Sequence, residues 1–425
     1  MTTRFTTGLS LALLAIFAAL PTFAIDPDAI SVAPKVSSME VLQALDAEFH
    51  AYQIFELDLR TIDRRVRSHG ALDLHLGNRS FPLKLEENDL RSADFRWVEL
   101  RRDGLRDLEP GPVTTFRGTV AGDPDSVVRL TVTPELFTGF IYTGDEMFYV
   151  DPVADFTSGL ALGEGLRPAV GDVVVYREID QRHLKAGTCA SSHEHDLGEF
   201  LDTLPSARAS AFESLGIDLS QQVEETHQFR TLEVALECDG QYRARFGQTG
   251  AINRMEGVMN DVDGFIYRSE LNLGINVVFA GCWQNAGTDP YTSLNASTTL
   301  NQMANFWSGD GAGIAPSRDV VHQFSGKNFS GSTIGIAFVG VICRNRSLSV
   351  GISQDVSGSA TRRRLTAHEI GHNLSANHDS SAGCGGNGPI MCPSIQSGGS
   401  SAADDFSNQS FNSIDNHIDN FGGCI

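Results

Sequence analysis

The stretch HEIGHNLSANHD, from His368 to Asp379, places three histidines and one glutamate within eleven residues. In a helix advancing about 100° per residue, His368 and His372 lie about 40° apart and one turn apart, so both imidazoles reach one ion. Glu369 is turned far enough away to miss that ion yet can reach a water bound to it, which is the HExxH arrangement with the glutamate as general base. A helix continued to His378 would point it about 120° away from His372 and about 9 Å further along. His378 therefore joins the same ion only if the chain turns sharply. Asn373 to Asn377 supplies that turn, because Ser and Asn side chains compete with the helix for backbone hydrogen bonds. Three imidazoles leave a fourth zinc position for water, as a catalytic site requires, whereas a structural site is closed by four protein ligands.

Around this stretch the chain alternates between two periodicities. FRTLEVALECD reads as a strand, QTGAINRMEGVMNDVDGFIYRSEL as a helix and LGINVVFAGCW as a strand. SLNASTTLNQMANFWSG then reads as a helix, TIGIAFVGVICR as a buried strand, and ATRRRLTAHEIGHNL as the helix bearing the first two histidines. A Gly-rich stretch and a short helix around Ser413 to Asn420 follow. Such alternation implies a mixed α/β sheet. Upstream of Asp180 the pattern is instead that of antiparallel strands: ALDLHLGNRSFPLKL, TTFRGTVAGDPDSVVRLTV and LFTGFIYTGDEMFYVDP alternate apolar and polar residues around GN, GDPD and TGD turns. A helical piece, VSSMEVLQALDAEFHAYQIF, precedes them. Thr188 to Glu225 is rich in Ser, Ala, Glu and His and reads as a connecting segment open to proteolysis.

The first 24 residues carry Arg4, a twelve-residue apolar run from Leu9 to Leu20, and small residues at Thr22 and Ala24. That run is too short to span a bilayer core, which takes about 20 residues, so the segment reads as a signal cleaved near Ala24 and the product as secreted, through the periplasm if the cell has one. Charge is uneven: residues 227–425 hold 12 Lys and Arg against 17 Asp and Glu, leaving 20 against 36 for the first part. This acidity argues against nucleic acid, whose affinity rests on Lys and Arg neutralising phosphates. Of seven cysteines, Cys238, Cys282, Cys343, Cys384, Cys392 and Cys424 fall in the second part and Cys189 alone in the first. Six cysteines in one exported domain form three disulfides, in any of fifteen pairings as far as spacing tells. His193 and His195, in SSHEHD, are either a second metal site or solvated linker residues.

HEIGHNLSANHD resembles the HExxHxxGxxH pattern of the metzincin metalloproteases, and Asp379 after the third histidine resembles the adamalysin/reprolysin branch. Ser375 stands where that family has Gly. If the position is left-handed, a non-Gly residue costs about 1–2 kcal/mol. GSTIGIAFVGVICRNRSLSVGISQDVSG is similar to the family's edge strand, cysteine and following strand, and GPIMCP to its Met-turn segment. The resemblance implies an α/β metzincin domain over 227–425, with a mixed twisted sheet, an active-site helix and a small C-terminal subdomain. It implies one zinc on His368, His372 and His378, Glu369 as general base, Met391 beneath the zinc, and Gly335, Ile336 and Ala337 on the edge that pairs with extended substrate. It further implies the pairs Cys343–Cys424, Cys384–Cys392 and Cys238–Cys282. Glu233 and Asp319 fall where the family places calcium carboxylates, with the Cys424 carbonyl near, although the family's following ligand is missing.

The first part is similar to the reprolysin propeptide, in TTFRGTVAGDPDSVVRLTV and LFTGFIYTGDEMFYVDPV. The resemblance implies a β-rich prodomain over 25–190, a linker with the maturation cut over 191–226, and a thiolate from Cys189 on the open zinc position until proteolysis removes it. An intermolecular disulfide or an inert buried thiol are the other uses for Cys189. The expectation is thus a secreted, monomeric zinc endopeptidase made as a zymogen, with a polypeptide substrate, its own propeptide as inhibitor, and no membrane partner once the signal is gone. A zinc-binding adhesin without proteolytic activity is the rival, and Glu369 argues against it.

Overall fold

The computed structural model describes residues 30–144, 146–191, 229–380, 384, 388–397 and 405–425. The expected signal, His193, His195 and nearly all of the expected linker lie outside the described residues. Among the described residues, eighteen strands form two nine-stranded sheets. In chain order they are β1 (Ile30–Val32), β2 (Gln53–Glu56), β3 (Ala71–Leu76), β4 (Arg79–Glu87), β5 (Arg91–Arg101), β6 (Gly104–Leu108), β7 (Thr115–Val120), β8 (Asp123–Thr133), β9 (Leu136–Tyr142), β10 (Met147–Pro152), β11 (Asp172–Arg177), β12 (Leu184–Cys189), β13 (Arg230–Cys238), β14 (Leu273–Trp283), β15 (Val320–Ser325), β16 (Thr333–Ala337), β17 (Val350–Gln354) and β18 (Ser394–Ser397).

The first sheet runs β1-β3-β4-β7-β8-β9-β10-β11-β2 and is antiparallel except for β1 against β3. Period-two patterns put Leu72, Leu74, Phe81, Leu83, Val128 and Leu130 into one core. Helix α1 (Met39–Glu48), capped by Ser38, lies in the expected helical piece, and the QIF at that piece's end is strand β2. Helix α2 (Leu59–His69) has no counterpart in the sequence reading; only Leu59, Ile62 and Val66 give it an apolar stripe, the rest being polar.

The second sheet runs β18-β12-β16-β17-β15-β13-β14-β5-β6. Between residues 230 and 354 it is the expected mixed sheet: β13 lies parallel to β14 and β15, β15 parallel to β17, and β16 antiparallel to β17. Its crossover helices are α3 (Gly240–Asp261), which begins earlier than the sequence pattern suggests because Asp239 caps it, and α4 (Ala296–Ser308). Helix α5 (Ser359–Asn373) bears the histidines and α6 (Asn408–Phe421) closes the chain. TIGIAFVGVICR is a strand only as far as Ala337, after which the chain turns.

The N-terminal part contributes strands near both ends of this sheet. The β5–β6 hairpin adds β5 parallel to β14, and Trp97, Val98 and Leu100 enter the two cores that flank the second sheet. β12 inserts between β16 and β18, parallel to the first and antiparallel to the second. The sequence reading made Thr188 and Cys189 part of a strandless connector; they extend a sheet because neighbours on both sides supply partners, which needs no alternation of their own. The expected open edge at Gly335, Ile336 and Ala337 is consequently covered. Disulfides join Cys238 to Cys282, Cys343 to Cys424 and Cys384 to Cys392, and Cys189 is free and buried.

Candidate metal centre

All fifteen residues of α5 are buried, so its two histidines enter the protein rather than solvent. The Nε2 atoms of His368, His372 and His378 converge, with separations of 3.0, 3.2 and 3.2 Å. Tetrahedral zinc with nitrogen ligands at about 2.0–2.1 Å holds those nitrogens roughly 3.4 Å apart, so the three rings fit one ion. The opposite ring nitrogens of His368 and His372 are spoken for. His368 Nδ1 donates to the Ile390 carbonyl at 2.6 Å and His372 Nδ1 to the Ala376 carbonyl at 2.7 Å, which fixes the tautomer that leaves Nε2 free to ligate.

The helix stops where His378 requires it to stop. Asn373 donates its side-chain amide to the carbonyls of Phe338 and Val350, tying the helix end to the sheet. Ser375 then takes φ 83, the left-handed conformation, and brings the chain back towards the metal side. Asp379 secures the return: its Oδ1 accepts from Ser410 Oγ at 2.9 Å and from Ser407 Oγ, and its N–H donates to the Met391 carbonyl. Met391 is buried beneath, its sulfur 2.9 Å from where a Cβ on Gly371 would stand. Gly371 is therefore required by close packing.

Glu369 lies beside the three rings. Its Oε1 is buried without a hydrogen-bond partner, and a Cβ on Gly335 would come within 2.1 Å of it. Cys189 completes the group: its sulfur is 3.5 Å from His372 Nε2 and 3.4 Å from Glu369 Oε2, and all four candidate ligand atoms lie within 4.8 Å of one another. Burial pushes the Glu369 carboxyl and the Cys189 thiol up, and pulls the imidazoles down, His368 to about 3. The imidazoles are thus neutral, as ligation requires. A divalent cation at their focus favours the thiolate.

Ser191, absent from the sequence reading, locks Cys189 in place. Its hydroxyl donates to the Ala337 carbonyl at 2.9 Å, its oxygen accepts from Ala337 N–H at 2.8 Å, and its own N–H approaches the sulfur at 3.3 Å. The Ser two residues after Cys in TCASS is the signal that was present. Along the sheet edge, Thr188 N–H donates to Ser332 and Ala190 N–H to Gly335. Glu233 and Asp319 are adjacent, Asp319 Oδ2 accepting from Glu233 N–H at 2.7 Å. Among the described residues, however, the only cluster of three or more such ligating side chains is the one at His368.

Carboxylates of the N-terminal part also pair with arginines of the other. Asp155 binds Arg254 through both oxygens and Arg362 at 2.9 Å, Glu178 binds Arg364 at 2.7 Å, and Asp151 accepts from Ser359 N–H at the start of α5. Sequence periodicity gave no sign of these pairs, since each partner is more than 90 residues from the other.

A histidine returned by a left-handed turn to two others on a buried helix, over a methionine and against a mixed sheet, is the arrangement that the metzincin resemblance implies. Residues 228–416 match the model of Metallo-peptidase family M12, as Reprolysin_5. Over 171 residues the chain is 34% identical to the zinc metalloproteinase-disintegrin-like brevilysin H2a of Gloydius brevicauda, which covers 39% of this chain; the chain spans 38% of that relative's length. Residues 228–416 are thus similar to adamalysin/reprolysin-like metzincins. Among solved structures, metalloproteinase-II from Bacteroides fragilis aligns with 92% of this chain and 99% of its own at 14% identity, with a TM-score of 0.45. A chaperone-substrate complex aligns with 46% of this chain and 38% of its own at 13% identity, with a TM-score of 0.35. Both scores are too low to bear on the fold.

Proposed function

We propose that this chain is the zymogen of an exported zinc endopeptidase. A signal ends near Ala24, residues 25–190 are an inhibitory propeptide, a cut within 191–226 releases it, and 227–425 hydrolyse peptide bonds. The observation that carries this reading is the Cys189 sulfur among the three imidazoles and Glu369, at the position a catalytic water needs. Three disulfides suit an oxidising compartment. Among the described residues no helix is long and apolar enough to cross a membrane.

His368, His372 and His378 would hold the zinc, which when bound supplies a Lewis acid for the scissile carbonyl and acidifies the attacking water. Glu369 accepts the proton of that water and delivers it to the leaving amine. Gly335 lets a peptide backbone pass close to Glu369, and the Gly335 carbonyl and Ala337 N–H, now engaged by Ala190 and Ser191, become the main-chain partners of an extended substrate. Asp379 holds the chain's return to His378, and the Ile390 carbonyl orients His368.

The test is peptide cleavage by the secreted and matured protein with its zinc content, beside Glu369→Gln. Cleavage with about one zinc per chain, lost in the variant while zinc stays, supports the reading. Zinc without cleavage of any peptide refutes it.

A further inference from the structure

We propose that Arg364 is a specificity-determining residue of this cleft, selecting a substrate with an acidic side chain next to the scissile bond. The proposal rests on the endopeptidase reading above and names its substrate class.

Arg364 stands one helical turn before His368, about 40° round the axis, so it faces the same side of α5 as the zinc ligand. Its neighbours do not: Arg362 is bound by Asp355 and Asp155, and Arg363 reaches Tyr149. With Gly388, Pro389, Ile390, Cys392 and Ile395, Arg364 lines a pocket between α5 and the segment leading into β18. That segment also holds the metal centre, through the Ile390 carbonyl on His368 Nδ1. The pocket therefore adjoins the zinc ligands, and Gln396, which also lines it, pairs with Lys185 of β12. With Glu178 on the guanidinium, about 20 Å³ is free inside it, room for one water.

The guanidinium already holds a carboxylate. Nη2 donates to Glu178 Oε1 at 2.7 Å, with both side chains nearly inaccessible at 5% and 6% exposure, and Nη1 lies 3.3 Å from the Gln396 carbonyl. Glu178 belongs to the propeptide, six residues before β12, and leaves with it. A buried guanidinium that loses a carboxylate gains more from another carboxylate than from an apolar group, because the lost charge pairing is costly and the fork geometry is specific. Glu178 thus occupies in the zymogen the guanidinium that a substrate glutamate or aspartate takes in the mature enzyme.

The experiment uses the full chain, secreted, zinc-loaded and matured by limited proteolysis, acting on a randomised peptide library whose products are sequenced. Glu or Asp is expected at one of the two positions flanking the cleaved bond with kcat/KM about tenfold or more above Leu. Arg364→Leu should reverse that ratio, and Arg364→Lys should keep part of it. Cleavage with Leu or Phe preferred, or an acid preference unchanged in Arg364→Leu, overturns the proposal and leaves the endopeptidase reading intact. Cleavage of no peptide at all, with zinc bound, overturns both. Should Arg364→Leu fail to fold, the wild-type profile still decides, and Glu178→Gln adds a second reading. That variant should release its propeptide several-fold faster, by loss of one charged hydrogen bond, with the acid preference of the matured enzyme unchanged; release at the wild-type rate counts against the carboxylate's role.

Discussion

The sulfur of Cys189 lies 3.5 Å from Nε2 of His372, although 183 residues separate them in the chain. Ser191 on one side and the pairing of β12 with β16 and β18 on the other hold it there. Cys189→Ala in the intact chain is expected to raise hydrolysis of a small peptide about tenfold or more over the wild-type zymogen, equivalent to about 1.4 kcal/mol of lost blockade. Activity should remain well below that of matured enzyme, because β12 still fills the cleft. A variant as silent as wild type would show that the strand alone imposes latency.

Ser375 occupies a left-handed position, φ 83, where its side chain has no hydrogen bond among those described. Ser375→Gly is expected to stabilise the domain by about 1 kcal/mol, after part of the steric relief is offset by the greater freedom of Gly in the unfolded chain. A thermal melt should move up by about 2–4 °C. A fall in Tm would mean that Ser375 contributes something this geometry does not reveal.

Asp379 acts on His378 through the backbone. Its bonds to Ser407, Ser410 and Met391 fix the return of the chain towards the ligand. Asp379→Ala should cost about 1–3 kcal/mol of stability, since buried hydroxyl donors lose their acceptor, and should weaken zinc retention in a chelator competition. Equal zinc retention in both proteins would restrict Asp379 to a purely global role.

The N-terminal part is held by charge, and charge responds to acid. Burial would raise the Asp155 carboxyl, but Arg254 and Arg362 override it and hold it down to about 2, against an ordinary 3.8. A carboxylate depressed in the folded state stabilises above its unfolded pKa and loses that contribution as pH falls towards the folded value. Propeptide attachment in a chain cut within 191–226 should therefore weaken between pH 4 and pH 2. Asp151 moves the other way, raised first by burial and then by Asp155, so it adds nothing to this acid lability. Asp155→Asn leaves Arg254 without this carboxylate and Arg362 with Asp355, and should cost about 3–5 kcal/mol of attachment. Size-exclusion of the cut chain across that pH range checks both. Co-elution at pH 2, undiminished, would contradict the ion-pair account.

The metal centre was legible because its parts are local: His368, Glu369 and His372 share one helix, and the turn at Asn373 to Asn377 sits in the same stretch as His378. Alternation likewise exposed the hairpin of β3 and β4 and the strands and helices around the mixed sheet. What escaped depends on distance in the chain. The β5–β6 hairpin has no counterpart among the strands read from the sequence, and nothing in Trp97 or Val98 says that their two cores are built by residues 232–418. β12 lacks a pattern of its own because its neighbours supply its hydrogen bonds. Asp155 with Arg254, and Glu178 with Arg364, are buried pairs whose partners carry no shared periodicity, so only the folded chain joins them.

On the proposed reading, Cys189 and the three histidines share one zinc in the intact chain. X-ray absorption at the zinc edge, on the intact chain and again after maturation, tests it most directly. Three nitrogens at about 2.0–2.1 Å and one sulfur at about 2.3 Å are expected before the cut, with the sulfur shell gone afterwards and oxygen in its place. A zinc shell of nitrogen and oxygen alone in the intact, reduced chain would contradict it.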